Sequence, residues 1–99
     1  MDLLDKCREP QQNIYRRAVN YYGHKHQIKK AIEEMGELAT ELVDYLTGSQ
    51  NQRKVRSEIA DVENLMIQLR IIFHDDNDDI DMIMKNKMEK VRRRMDGDE

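Results

Sequence analysis

The chain has 99 residues, of which 37% are charged and 5% aromatic, with no Trp, one Pro, four Gly and a net charge of -3. A chain this short is expected to form one domain, 1–99, with a modest core that oligomerisation would extend. The scarcity of aromatics, Pro and Gly argues for helices over a sheet, the negative balance removes any global attraction to nucleic acid, and no apolar run reaches membrane-spanning length.

The lone Cys7 precludes an intrachain disulfide and, with no signal peptide expected, points to a reducing, cytoplasmic setting. Residues 1–9 and 96–99 are expected to be frayed at the two ends. Pro10 suits a first helical turn, and Ile14, Tyr15, Ala18, Val19 and Tyr22 recur at helical spacing, predicting a helix over about 10–22 that Gly23 ends. A longer stripe, Ile28, Ile32, Met35, Leu38, Ala39, Leu42, Tyr45 and Leu46, predicts a second helix over about 25–47, with Gly48 as its C-terminal cap. GSQNQ is the clearest loop. Val55, Ile59, Val62, Leu65, Met66, Leu69, Ile72 and Phe73 carry a third helix over about 52–73, which HDDNDD interrupts. Asp78 or Asp79 caps a fourth, about 78–95, presenting Ile80, Ile83, Met84, Met88, Val91 and Met95. Short loops between four helices predict an all-α, antiparallel four-helix bundle-like fold, oligomeric given its small core. The methionines of the fourth helix read as core packing or an oligomer contact.

The segment EEMGELATELVD, residues 33–44, holds five carboxylates. Helical phase separates them. Glu34, Glu37 and Glu41 share a stripe beside Leu38 and Tyr45 at the border of the apolar face, whereas Glu33 and Asp44 turn to solvent. On the third helix Glu58 and Asp61 are three apart, and Glu58 falls within the stripe of Val62, Leu65, Leu69 and Ile72. An unpaired buried carboxylate costs several kcal/mol or takes up a proton. A basic partner or a divalent cation would compensate, and two facing carboxylate pairs offer the hard oxygen ligands that Mg²⁺ prefers, Mn²⁺ being possible. A di-iron bundle is disfavoured, because no Glu is followed three residues later by His. The histidines read as surface or capping residues.

Glu34-x-x-Glu37 followed by Glu58-x-x-Asp61 resembles the signature of the MazG-like all-α nucleoside triphosphate pyrophosphohydrolases. IEEMGELATEL is similar to the family's first motif and SEIADVENLMIQL to its second, and the chain resembles small single-domain members common in phages and low-GC bacteria over about residues 20–95. The resemblance implies a hydrolase that cleaves a (deoxy)nucleoside triphosphate to monophosphate and pyrophosphate, in nucleotide-pool housekeeping. It implies metal ligation by Glu34, Glu37, Glu58 and Asp61, with Glu37 or Glu34 handling the attacking water and Glu41 as an outer partner. Lys87 and Arg94 match the family's basic segment, and Lys90, one turn from each, could join them on the phosphates; in some relatives an Asn stands at the position of Val91. Tyr21, Tyr22, His24 and Gln27 are available to a base. The resemblance further implies a homodimer or dimer-based homotetramer, while the charge balance and the hydropathy lead to the expectation of no stable nucleic-acid binding and no membrane. Two other classes compete: a non-catalytic helical oligomerisation or adaptor protein that keeps the fold, and a nucleic-acid binder using MEKVRRRM. The core-facing carboxylates count against the first and the negative charge against the second.

Overall fold

A computed structural model describes residues 11–74 and 79–97, with side chains described from Ile14 onward. Four helices follow one another: α1 Gln11–Tyr22, α2 His24–Leu46, α3 Gln52–Ile72 and α4 Asp79–Met95. The described residues contain no strand, so the all-α expectation holds. Cys7, Pro10 and Asp78, and the expected fraying of 1–9, lie outside the described residues.

Local chemistry sets the helix ends. Gly23 alone separates α1 from α2, at φ 92° and ψ 154°, a left-handed region that residues with a Cβ avoid. The end of α2 is a Schellman motif. Gly48 at φ 129° donates to the Tyr45 carbonyl at 3.4 Å, and the Ser49 N–H reaches the Asp44 carbonyl at 2.9 Å. Asn51 caps α3, its side-chain oxygen accepting from the Lys54 N–H at 3.1 Å.

α2 and α3 form the main packed pair, and α1 lies against both. Val19 of α1, Ala31 of α2 and Leu65 of α3 make the apolar centre. The Tyr15 hydroxyl donates to Asn64 Oδ1 at 2.8 Å and ties α1 to α3.

The phase of α2 differs from the expectation. Residues 27, 31, 34, 38, 41 and 45 face inward: Glu34 and Glu41 are 7% and 8% exposed, whereas Ile32 and Leu42 are 62% and 43% exposed. At 100° per residue the apolar stripe lies about 100° round the helix from the buried face. Ile59, Met66 and Phe73 of α3, expected in the core, are exposed as well. Because α2 and α3 run antiparallel, offsets of the same sense carry both stripes to one side of the pair. α4 has no buried residue. Arg70 ties its first turns to α3, with Nη1 on Asp81 Oδ1 at 2.8 Å and Nη2 against the Met84 sulfur at 3.0 Å. Within one chain the expected bundle is therefore three packed helices and a fourth whose apolar stripe is open.

Truncating the centre tests this arrangement. Leu65→Ala should lower unfolding free energy by about 2–4 kcal/mol in urea titration, whereas an effect below about 0.5 kcal/mol would place Leu65 outside the core.

Candidate metal centre

The inward face of α2 and the facing side of α3 bring carboxylates together. Oxygens of Glu34, Glu58 and Asp61 lie within 4.8 Å of one another, and so do oxygens of Glu33, Glu34 and Glu37. Glu34 belongs to both groups. The i, i+3 spacing on each helix supplies two groups per face, and the antiparallel hairpin closed by Gly48 sets the pairs opposite each other. Glu33, expected to be solvated, is exposed but within this cluster. The burial is graded, with Glu34 buried, Glu58 half-buried and Asp61 and Glu37 exposed.

Two of these oxygens, Glu34 Oε2 and Glu58 Oε2, are buried without a hydrogen-bond partner. Buried polar atoms are nearly always paired, so a pair of orphans at one point is a strong local anomaly. The donor set is all oxygen, the ligand type that hard divalent cations take. The residues present therefore fit a hard divalent cation.

Lysines compensate part of the charge. Lys30 Nζ lies 3.3 Å from Glu34 Oε1 and 3.4 Å from Glu33 Oε1. Lys54 Nζ, from α3, lies 3.1 Å from Glu41 Oε1. Hydrogen bonding to Glu34 and Glu41 respectively, with the carboxylate charges adding, raises the proton affinity of each lysine. Glu41 is thus buried and ion-paired at the next inward turn beyond the cluster. Sequence reading had singled out neither lysine, although Lys30-x-x-x-Glu34 is a legible i, i+4 pair; Lys54 to Glu41 needs the interhelical register.

Glu37 is held above its ordinary carboxylate range, first by a hydrogen bond shared with Glu34 and then by the Glu34 charge, with smaller contributions from desolvation and from the Glu58 and Glu33 charges. Two ionised carboxylates present only acceptors to each other, so one proton on the pair relieves them.

A cleft of about 260 Å³ adjoins the cluster, lined by Gln27, Lys30, Glu34, Asp61, Asn64, Leu65 and Gln68. Gln27 is thus brought to the site. Tyr22 and His24 are exposed and do not line it; Tyr22 stacks on His26 at 5.2 Å between ring centroids, and Tyr21 packs edge-on to Tyr22 at 4.9 Å. Lys87, Lys90 and Arg94 are exposed on α4, whose described ties run to Arg70 and not to the cluster.

Comparison with models of known protein families, with curated proteins and with solved structures gives no match. Among the described residues no helix is long and apolar enough to cross a membrane.

The raised Glu37 predicts a pH dependence. Its affinity for a proton is higher folded than unfolded, so the folded state binds more protons in the window just above the ordinary carboxylate range. The stability this confers is complete below the unfolded value and lost as pH rises through the folded one. Without divalent cations, the melting temperature of the parent chain relative to Glu37→Gln should fall as pH rises above the ordinary carboxylate range. Parallel profiles for the two proteins would show that Glu37 does not share a proton with Glu34.

Proposed function

We propose that this chain is a Mg²⁺-dependent hydrolase of the MazG-like kind, converting a nucleoside triphosphate to its monophosphate and pyrophosphate. The observation that carries the reading is the meeting of Glu34, Glu58 and Asp61 with two buried, unpartnered oxygens, at the positions of the E-x-x-E and E-x-x-D motifs. An adaptor that had only kept the fold would gain stability by filling the Glu58 position with Leu.

Glu34, Glu58 and Asp61, with Glu37 at the solvent edge, would hold the metal. Mg²⁺ bound there would neutralise the triphosphate and stabilise charge developing in the transition state. Water attacks the α-phosphorus, the bond from that phosphorus to the bridging oxygen breaks, and pyrophosphate leaves carrying that oxygen. The proton of the attacking water goes to a carboxylate. Glu37 suits this role because its neighbours raise its proton affinity and it faces solvent; Glu34 is the second candidate. Lys30 stands at the mouth of the cleft for the phosphates.

Homodimerisation belongs to the same reading. A second copy would cover the apolar side of α2 and α3, where Ile32, Met35, Leu42, Ile59 and Met66 are exposed. On this reading Lys87, Lys90 and Arg94, exposed on α4, would reach the phosphates from this chain or from a second copy.

Two measurements test the proposal. With Mg²⁺ and a panel of canonical and modified (deoxy)nucleoside triphosphates, the parent chain should release pyrophosphate, and Glu58→Gln should lose about 100-fold or more in kcat/KM while staying folded. If no triphosphate yields pyrophosphate and Glu58→Gln leaves Mg²⁺-induced stabilisation unchanged, the enzymatic reading fails. In sedimentation velocity the parent chain should run as a dimer or larger and Leu42→Asp as a smaller species; a monomeric parent would remove the second copy from the proposal.

A further inference from the structure

Beyond the carboxylates, the interior holds a second polar group, Gln27 and Gln68, which are 5% and 7% exposed. Gln27 Nε2 donates to Gln68 Oε1 at 2.6 Å across the α2–α3 interface. Gln68 Nε2 donates to the backbone carbonyl of Asn64 at 3.3 Å. His26 Nδ1 meets Gln27 Oε1 at 2.7 Å.

The direction of this chain follows from its far end. A backbone carbonyl only accepts, so Gln68 must turn its nitrogen to Asn64 and its oxygen to Gln27. Gln27 must then turn its nitrogen to Gln68 and its oxygen to His26. His26 must in turn carry its proton on Nδ1. Reversing either amide sets oxygen against oxygen. One carbonyl on α3 thereby sets both buried amides and the tautomer of a ring on α2, which Tyr22 stacks against.

Each amide is left with one hydrogen and one lone pair unspent. A buried N–H without an acceptor is costlier than a carbonyl with one free lone pair. Both residues line the cleft that also holds Glu34 and Asp61. The end of the cleft beyond the carboxylates is therefore biased toward donating.

Resting on the reading of a nucleotide substrate, we propose that Gln27 and Gln68 receive a nucleobase with a ring carbonyl, favouring a 4-oxo over a 4-amino pyrimidine. Gln68 acts also as a positioning residue, holding the Gln27 amide in the donating orientation through the Asn64 carbonyl. A base with an amino group at that edge brings a donor to donors and leaves two buried N–H groups unpaired.

Two measurements on the full chain decide this. The first uses no nucleotide: the ring ¹⁵N shifts of the neutral His26 imidazole should report the Nδ1–H tautomer, and Gln68→Leu should shift the population toward Nε2–H. A predominantly Nε2–H ring in the parent chain would overturn the directed chain. The second is calorimetric titration, with Mg²⁺, of the α,β-imido triphosphates of deoxyuridine and deoxycytidine, which resist cleavage at the α–β bridge. The uracil analogue should bind about tenfold or more tighter, and Gln68→Leu should reduce that preference to about threefold or less. Equal affinities, or a cytosine preference, would overturn the base assignment while leaving the triphosphate reading intact. Binding of neither analogue would overturn the nucleotide reading and the base assignment with it. Should Gln68→Leu fail to fold, the parent chain's tautomer and its uracil-to-cytosine ratio still decide.

Discussion

The interior of this chain is organised around negative charge held between two helices. Glu34 on α2 and Glu58 on α3 each place an oxygen out of reach of water and of any protein donor, with Asp61 completing the group. A carboxylate in that position normally neutralises, pairs or ligates. Lys30 takes one oxygen of Glu34, and Glu37 is held above its ordinary carboxylate range beside Glu34. Glu34 Oε2 and Glu58 Oε2 are left without a hydrogen-bond partner among the described residues, and the proposed cation would compensate them.

The rest of the α2 surface follows from this commitment. Every seventh inward position is polar: Gln27, Glu34 and Glu41 are all buried. Each has its own compensation, from Gln68, from Lys30 and from Lys54. The seam is thus a graded row, running from neutral amides at the start of α2, through the acidic cluster, to an ion pair near the Gly48 turn. With a cation at the acidic cluster, as proposed above, such a row would suit an elongated ligand with a neutral polar end and an anionic end.

Much of the helix layout was legible because its signals are local. Gly48 read as a cap from sequence because a Schellman turn needs a residue at positive φ directly after the last helical turn. The pairing of Glu34 with Glu37 and Glu58 with Asp61 was legible because i, i+3 spacing fixes a shared face whatever the environment. The phase of α2 was not legible. Two faces about 100° apart compete for the interior, and hydrophobicity alone favours the one with Ile32, Met35 and Leu42. The choice is made by partners on another helix: Gln68 opposite Gln27, and Lys54 beside Glu41. Those contacts depend on interhelical register, which periodicity within one helix does not contain. The position of α4 escaped for the same reason. Its apolar stripe is visible in sequence, but nothing in that stripe says whether it packs on its own chain.

That competition between faces bears on how the protein is held together. Rotating α2 by about 100° would bury Ile32 and Leu42 and return Glu34 and Glu41 to water. Each large aliphatic side chain so buried contributes about 1.5–3 kcal/mol, and releasing an unpartnered carboxylate removes a penalty of similar size or larger. Against this, Lys30 and Lys54 pair Glu34 and Glu41 in the observed phase; cover for the apolar stripe outside and further positive charge at the cluster inside would each favour that phase. On the reading proposed above, a cation in the cluster and a second copy on the outer face would be separate interactions governed by one helix rotation. Metal binding and assembly would then be linked through α2, each stabilising the phase that the other requires.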